Sequence, residues 1–331
     1  MLTASKESIV VVSAADDNYA MQVAVAGRSA IENLQGSHDI NLYIIDGGVK
    51  NHNKQKILKS LDSEKCKVEF IQISDSLLRK IEEAHKPVVS EGVTTKAGYV
   101  KAEYVSIASF YRLLIPDLIP QQFDKVIYLD GDLVVRGNLE ELWQADLGEN
   151  FVLAAQDTYI PYVSSRTGFF NYEKLSVPPD SKYFNAGVLV IDLKKWRDAR
   201  TSAKAIEYFV QNLEHVGWYD QGILNGLLAG QWGELDPRWN MSPTSVFGFS
   251  SWQQSPFSEE IYNALTRDPF IVHYVSEKKP WTSRHTQCKE YFFQYVDMTE
   301  WSGWRLTIWR RLRLRFVREF RSALRKIKRP N

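Results

Sequence analysis

One stretch, Ile9-Val-Val-Val-Ser-Ala-Ala-Asp-Asp-Asn-Tyr19, sets the architecture expected of this chain. Its apolar run 9–12 predicts a buried strand, residues 14–18 a polar turn, and residues 19–34 a helix with a regular apolar stripe. The alternation continues through a strand, a helix and a third strand at residues 41–45, 51–61 and 68–73. This order predicts an α/β fold with a mostly parallel sheet that helices cover on both faces.

A second stretch, Tyr128-Leu-Asp-Gly-Asp-Leu-Val-Val135, places Asp130 and Asp132 at the end of another apolar run. Residues i and i+2 of an extended chain point to the same side, so both carboxylates can face one hard cation and, through it, a phosphate. Ligands of parallel sheets bind beyond the carboxyl ends of the strands, where the turn 14–18 also lies. An ordinary Asp-Gly hairpin turn between two apolar runs explains the same dipeptide.

Two residues near the C-terminal end of the predicted domain, His273 and Lys279, are candidates for binding the metal and its phosphate. His273 ends the strand-like run Phe270-Ile-Val-His273, and a neutral imidazole there would shift the preference from Mg²⁺ toward Mn²⁺. Taken alone, such a histidine is more often a packed or surface residue. Lys279 follows six residues later and could hold a phosphate as a point charge, although an isolated lysine is usually a surface residue.

Two polar segments later in the chain are candidates for ligand contacts. Asn185 precedes the small residues Ala186 and Gly187, which would let the backbone approach a ligand closely, or simply start a strand or form a bulge. Asp220 looks like the N-cap of a helix at residues 220–228, and Gln221 could project from that helix start into a cleft. Further elements are a long loop at residues 156–182, a strand at 186–193 and a helix at 202–213.

Composition and charge divide the chain in two. The 331 residues are 44% hydrophobic, and two cysteines give no disulfide framework, which favours a reducing compartment. No signal peptide and no apolar run long enough to span a membrane is evident. Residues 301–331 carry 11 Lys and Arg against one acidic residue, a net of +10, which leaves −9 for the first 300 residues. We therefore predict a domain at residues 1–298 and a separate basic tail at 299–331.

The tail has the pattern of an amphipathic helix with an arginine-rich polar face. Its apolar positions are spaced three and four apart: Trp301, Trp304, Ile308, Leu312, Phe316, Phe320, Leu324 and Ile327. Such a helix over residues 301–328 would lie on an anionic membrane surface, with interfacial tryptophans as anchors. It could instead dock on the acidic body or bind nucleic acid. We favour the membrane over nucleic acid, because no nucleic-acid-binding fold accompanies the tail.

Taken together, these motifs resemble family 8 of the glycosyltransferases over roughly residues 7–285. The nearest resemblance is to bacterial α-galactosyltransferases and α-glucosyltransferases that build lipopolysaccharide cores and other surface glycans. The resemblance rests on the 14–19 turn, Tyr111-Arg112, the aspartate pair, Asn185, Asp220-Gln221, and His273 with Lys279. It implies the GT-A fold, a Rossmann-like sheet continuous with an acceptor region, and a UDP-sugar donor with Mn²⁺ as cofactor and Mg²⁺ as the alternative.

The resemblance also assigns roles to individual residues. It implies that Asp130, Asp132 and His273 bind the metal. It implies nucleotide contacts from Ala14, Ala15, Asp16, Asn18, Asp130, Gly131, Asp132, Ser276 and Lys279, with the last two near the pyrophosphate. It implies donor-sugar contacts from Arg112, Asn185, Asp220 and Gln221. Two features depart from the family: Gly222 stands where relatives often carry another Asp, and segments 157–182 and 241–269 match poorly.

The expected function is retaining transfer of galactose or glucose from a UDP-sugar to a glycan or glycolipid acceptor. The resemblance implies that Gln221, a poor nucleophile, stands where a retaining hydrolase has a catalytic carboxylate, which favours a front-face mechanism, while Asp220 is an alternative nucleophile. The enzyme would work in the cytoplasm, held on the inner face of the plasma membrane by its tail. A non-catalytic UDP-sugar or glycan-binding module on a membrane anchor is the alternative.

Overall fold

The computed structural model describes residues 8–79, 107–166, 168, 172–173, 176–212 and 219–312. Seven strands form its main sheet: β1 Ser8–Ala15, β2 Asp39–Asp46, β3 Cys66–Gln72, β4 Lys125–Leu129, β6 Val152–Gln156, β7 Phe184–Asp192 and β8 Trp232–Glu234. A separate two-stranded sheet pairs β5, Leu133–Val135, with β9, Ile271–His273.

The strand order in the main sheet is β3-β2-β1-β4-β7-β6-β8. Strand β7 pairs antiparallel with both β4 and β6, whereas the other neighbours are parallel. Six strands therefore end at one edge of the sheet, and β7 begins at that edge. The predicted α/β fold with a mostly parallel sheet is confirmed.

Alternate residues of β1 show why the sheet is covered on both faces. Val10 and Val12 pack into one hydrophobic cluster, and Ile9 and Val11 pack into another on the opposite face. The helical segments that line the first cluster include Ile107–Leu114, Ile115–Leu118, Leu193–Asp198, Thr201–Gln211 and Tyr219–Leu227. The helices that line the second cluster include Ala20–Glu32, Asn51–Ser60 and Leu139–Trp143.

The other helical segments are one short turn after β1 and a group in the C-terminal half of the chain. The short turn is Asp17–Tyr19, and the group comprises Pro237–Asn240, Pro243–Val246, Trp252–Gln254, Glu259–Arg267 and Lys289–Val296. A third hydrophobic cluster, which includes Val272, Trp281 and Phe292, joins this half to the helix Ala20–Glu32. The small sheet therefore packs against the helix Ala20–Glu32, which also covers one face of the main sheet.

The aspartate pair lies between strands of different sheets. Strand β4 pairs with β1 and β7, while β5 pairs with β9, so the chain leaves the main sheet at Asp130 and enters the small sheet after Asp132. The hairpin alternative is therefore excluded. The picture of two carboxylates along one extended strand is also wrong, because Gly131 and Asp132 form a turn.

Several predicted boundaries shift. Asp220 is not an N-cap, because it lies in the first turn of helix Tyr219–Leu227 and its side chain is buried against Arg112. Gln156 ends β6 rather than starting the long loop, and an isolated bridge between Tyr162 and Lys182 ties the described parts of that loop together. The helix predicted at 202–213 is observed as Thr201–Gln211, and residue 213 lies outside the described residues.

The basic segment begins as part of the body. Trp301 packs against two of the hydrophobic clusters, with the Lys56 Nζ 4.4 Å from its ring centroid, and Trp304 stacks on Phe293. Leu306 is buried. The helix begins near residue 308, not at Trp301, so the predicted stripe is wrong for its first two members. Residues 313–328 lie outside the described residues, and the division at residue 298 stays a prediction.

Among the residues that the structure describes, no helix combines the length and hydrophobicity needed to span a membrane.

We expect Trp301→Ala to lower the free energy of unfolding by about 2 kcal/mol, because it removes a partly buried indole from two clusters. Trp309→Ala is the matched control: this side chain is 81% exposed, and its loss should change stability by less than about 0.5 kcal/mol. Urea denaturation of both variants measures the difference. Equal stabilities would contradict the docking of Trp301.

Candidate active site

Aspartates gather at the carboxyl edge of the main sheet. Asp16, Asp130 and Asp157 directly follow β1, β4 and β6, and Asp46 ends β2. Because these strands are parallel, their ends meet along one edge, as the sequence predicted for Asp16 and Asp130. The amino end of β7 brings Asn185 to the same edge.

Asp130, Asp132 and His273 form a compact cluster of potential metal ligands. Each offers one ligand atom, and these atoms lie within 4.8 Å of one another. His273 Nε2 is 3.1 Å from Asp132 Oδ1 and 3.6 Å from Asp130 Oδ2. His273 reaches the aspartates because β9 pairs with β5, which places it opposite Leu133, the residue after Asp132. The predicted convergence of residues 130, 132 and 273 is therefore present, while their role as ligands stays a prediction.

Gly187 provides the space that this cluster occupies. A Cβ atom at Gly187 would lie 2.2 Å from His273 Cε1 and 2.9 Å from Asp130 Oδ2. Two carboxylates and one imidazole are a donor set suited to a divalent cation such as Mn²⁺ or Mg²⁺. The cluster and the recess left by Gly187 thus fit such an ion.

Lys279 neutralises the cluster from the side of the following loop. Its Nζ contacts Asp132 Oδ2 and donates to the carbonyl of Tyr274 at 2.7 Å. Burial alone would raise the pKa of Asp132, but Lys279 and His273 outweigh it and hold that pKa well below its ordinary value. Burial would lower the pKa of Lys279, yet Asp132 outweighs it and the pKa is raised. This lysine is therefore a half-buried, charged partner of Asp132 and not an isolated surface residue.

Arg112 connects the cluster to the helix Tyr219–Leu227. Its guanidinium is buried and lies 2.8 Å from both Asp130 Oδ1 and Asp220 Oδ2. Tyr128 also donates to Asp130 Oδ1 at 2.8 Å. Burial raises the pKa of Asp220 to about 6, with Arg112 acting in the opposite direction and Asp130 adding to the rise. Arg112 thus offsets the repulsion between the half-buried Asp130 and the buried Asp220.

Asp157 holds the two amides that the sequence placed in the donor-sugar site. Its Oδ2 accepts from Asn185 Nδ2 at 2.9 Å and from Gln221 Nε2 at 3.1 Å. Its Oδ1 accepts from the backbone N–H groups of Tyr159 and Ile160, both at 2.8 Å. Four donors therefore satisfy this buried carboxylate, and the amide oxygens of Asn185 and Gln221 turn away from it.

The predicted nucleotide contacts border the aspartate turn. Asp16 Oδ1 accepts from the N–H groups of Asn18 and Tyr19 and so caps a short 3₁₀ turn. A Cβ atom at Gly131 would lie 3.7 Å from the Ala14 carbonyl oxygen, which places the two turns side by side. Ala15, which is buried, ends β1 just before Asp16. Ser276 adopts a φ of 83°, and its hydroxyl lies 3.4 Å from that of Thr244.

Sequence reasoning missed three residues of this site. Asp157 follows a strand end like Asp16 and Asp130, so the same rule could have found it. Gly187 was read only as a small residue near Asn185. Asn240, which contacts both His273 and Asn185, lies in a segment without periodicity and gave no signal.

The mostly parallel sheet, with a carboxylate and imidazole cluster at its carboxyl edge, matches the GT-A fold of the galactosyltransferase LgtC. The model for glycosyl transferase family 8 matches residues 10–285, and the chain therefore belongs to that family.

Known relatives cover most of the chain. It is 29% identical to General stress protein A of Bacillus subtilis (strain 168), over 89% of this chain and 96% of that protein. It is 25% identical to the lipopolysaccharide 1,2-glucosyltransferase of Escherichia coli (strain K12), over 84% of this chain and 74% of that protein. The crystal structure of the galactosyltransferase LgtC with donor and acceptor sugar analogs superposes with a TM-score of 0.69, at 28% identity, over 88% of this chain and 96% of that one.

We expect Gly187→Ala to weaken Mn²⁺ binding at least about tenfold, because its Cβ would displace His273 or Asp130 at a cost of about 1–3 kcal/mol. Gly131→Ala is the control, since a Cβ there meets nothing closer than 3.7 Å and should change the affinity by less than about threefold. Isothermal titration calorimetry measures both. A Gly131 variant weaker than the Gly187 variant would refute this account of the recess.

Proposed function

We propose that this glycosyltransferase moves a hexose, galactose or glucose, from a UDP-sugar to a glycan or lipid-linked saccharide with retention of configuration. The observation that carries the proposal is the meeting of Asp130, Asp132, His273 and Lys279 beside the amides of Asn185 and Gln221. One group suits a metal-bound diphosphate, and the other suits the hydroxyls of a sugar. Arg112 bridges the two groups through Asp130 and Asp220.

The proposed cofactor is Mn²⁺, with Mg²⁺ as the alternative, held by Asp130, Asp132 and His273. When bound, such an ion would supply positive charge to the diphosphate leaving group. The imidazole in the ligand set favours Mn²⁺. Lys279, with Ser276 nearby, would bind the pyrophosphate after exchanging its contact with Asp132 for one with phosphate oxygen. The turn at Ala14, Ala15, Asp16 and Asn18 would bind uridine and ribose.

Transfer would follow a front-face course. The bond between the sugar C1 and the diphosphate oxygen breaks, and its electron pair goes to that oxygen. The acceptor oxygen bonds to C1 on the same face, and its proton passes to the phosphate oxygen. Arg112, Asn185, Asp220 and Gln221 would hold the sugar hydroxyls and keep C1 in line with the acceptor.

The contacts of the two candidate nucleophiles support this course. Asp220 is buried and ion-paired with Arg112, which reduces its nucleophilicity. The Gln221 carbonyl oxygen accepts from the Ala186 N–H at 3.1 Å, and an amide oxygen is itself a weak nucleophile. Both residues are therefore better suited to binding and orienting the sugar than to forming a covalent intermediate.

The names of the relatives support two alternatives for the transferred hexose, galactose and glucose. LgtC is a galactosyltransferase, and the Escherichia coli protein is a glucosyltransferase that acts in lipopolysaccharide. These names support a hexose donor and a surface-glycan acceptor. Segments 157–182 and 241–269 match the family poorly, so we propose that they select the acceptor.

We expect Mn²⁺-dependent release of UDP from UDP-galactose or UDP-glucose, and loss of at least about 100-fold of this activity in Asp130→Asn/Asp132→Asn. The control is Asp62→Asn/Asp117→Asn, which removes two exposed carboxylates and the same total charge. Proton NMR of the sugar released to water should show the α-anomer first. Full activity in the first double variant, or an initial β-anomer, would contradict the proposal.

Binding without turnover would favour the alternative, a non-catalytic UDP-sugar or glycan-binding module. Calorimetry with each UDP-sugar and Mn²⁺ separates the two functions. A dissociation constant unchanged in Gln221→Ala, combined with no UDP release in the presence of any glycan tested, would be the result expected of the module.

We propose that the basic segment holds the enzyme on the cytoplasmic face of the plasma membrane. Ile308, Trp309 and Leu312 are exposed and stand beside Arg310 and Arg311. Residues 313–331 add eight Lys and Arg against one Glu. Exposed apolar side chains flanked by arginine suit a membrane surface, where the apolar groups enter the acyl region and the arginines meet anionic headgroups.

We expect the full chain to sediment with phosphatidylglycerol vesicles, and a chain ending at Leu312 to bind them at least about tenfold more weakly at 0.1 M salt, because most of the positive charge is gone. Ending at Leu312 preserves the packed Trp301 and Trp304. Trp309→Ala tests the apolar contribution, and phosphatidylcholine vesicles are the uncharged control. Equal binding by both chains would refute the membrane proposal, and tail-dependent, salt-sensitive RNA binding without vesicle binding would favour nucleic acid.

A further inference from the structure

We propose that Asn240 is a positioning residue that fixes the tautomer of His273 and couples this potential metal ligand to Asn185. The inference deepens the proposed function, since it rests on the role of His273 as a metal ligand. Asn240 Oδ1 lies 2.9 Å from His273 Nδ1, and Asn240 Nδ2 donates to Asn185 Oδ1 at 2.9 Å. Both Asn240 and His273 are buried.

The orientation of each amide follows from one backbone donor. Gly187 N–H can only donate, and it lies 2.9 Å from Asn185 Oδ1, so that atom is the carbonyl oxygen. The Asn185 nitrogen then faces the Asp157 carboxylate, which accepts from it at 2.9 Å. Neither contact would survive a flip of the Asn185 amide.

The same reasoning passes to Asn240 and then to His273. Because Asn185 Oδ1 is an acceptor, the Asn240 atom that faces it is the nitrogen, and the Asn240 oxygen faces the imidazole. An amide oxygen accepts only, so His273 Nδ1 carries the hydrogen. In the neutral ring the lone pair then lies on Nε2, the atom that faces Asp130 and Asp132 and contacts Asp132 Oδ1 at 3.1 Å. Neutral imidazole with a free Nε2 is the form that binds a metal ion.

Backbone contacts hold Asn240 in place. It ends the 3₁₀ helix Pro237–Asn240, which the Asp236 side chain caps by accepting from the Arg238 N–H. The next residue, Met241, donates its N–H to the Ile271 carbonyl at 3.0 Å and accepts from the His273 N–H at 2.9 Å. The segment thus follows β9, and the Asn240 amide has little freedom to leave the ring.

The Asn240 side-chain amide thus contacts both His273 of the metal cluster and Asn185 of the proposed donor-sugar group. A substitution of Asn240 that keeps an acceptor for His273 but loses the donor to Asn185 tests the two contacts separately. Asp at position 240 accepts from His273 Nδ1–H but repels Asn185 Oδ1. Leu at position 240 fills a similar volume and makes neither contact. A residue that only filled space would not distinguish the two substitutions.

The test compares Asn240→Asp, Asn240→Leu and a matched control, Asn225→Leu. Asn225 is also buried and bonds to the backbone of Phe184, but it does not touch His273. We expect Asn240→Leu to lower Mn²⁺ affinity about 10–100-fold, the usual effect of losing the partner of a metal-binding histidine. Asn240→Asp should keep the affinity within about threefold while raising the KM for the UDP-sugar. Asn225→Leu should lower the melting temperature and leave Mn²⁺ affinity unchanged.

Nitrogen NMR of metal-free protein with labelled histidine gives a readout that does not depend on metal or activity. The His273 signals, assigned by their loss in His273→Gln, should show a protonated Nδ1 in the wild type and a mixture of tautomers in Asn240→Leu. An unprotonated Nδ1 in the wild type, or equal losses of Mn²⁺ affinity in Asn240→Leu and Asn225→Leu, would overturn the inference. If the wild type shows the expected tautomer but binds no divalent cation, the metal role fails and the positioning role stands.

Discussion

The buried guanidinium of Arg112 is the contact on which the site depends. It lies between the half-buried Asp130 and the buried Asp220, two carboxylates that would otherwise repel each other. Removing one partner from such a buried arrangement typically costs about 3–5 kcal/mol. Asp132 is balanced in the same way by Lys279, and Asp157 by four N–H donors. The negative charge of each of these carboxylates is therefore offset by a basic side chain or by N–H donors.

The reversed strand β7 explains how amides come to face these carboxylates. Parallel strands bring only their carboxyl ends to the edge, whereas β7 starts there and supplies Asn185 and Gly187. Gly187 contributes twice: its N–H fixes the Asn185 amide, and its lack of a side chain leaves room for His273. One antiparallel strand in a parallel sheet thus joins the two functional groups of the site.

The sequence predicted the mostly parallel fold because strand and helix periods are local properties, and β1, β2 and β3 have clear ones. It also predicted that Asp130, Asp132, His273 and Lys279 converge, through a family pattern and not through spacing. It went wrong where packing decides. Asp220 looked like a helix cap because that is the commonest use of its position, but the buried Arg112 takes its carboxylate. Trp301 continued an apolar stripe, yet it packs on the body instead of joining the later helix.

The sequence alone determined the sheet class, the aspartates that follow its strands and the charge difference between body and tail, because each is written in contiguous residues. Tertiary structure alone decided which glycine matters, since Gly187 and His273 are 86 residues apart and meet only through β7 and β9. It also decided the partners of Asp157 and Asn240. Hydrogen bonds between distant side chains depend on where strands are placed beside one another, and periodicity along the chain carries no record of that placement.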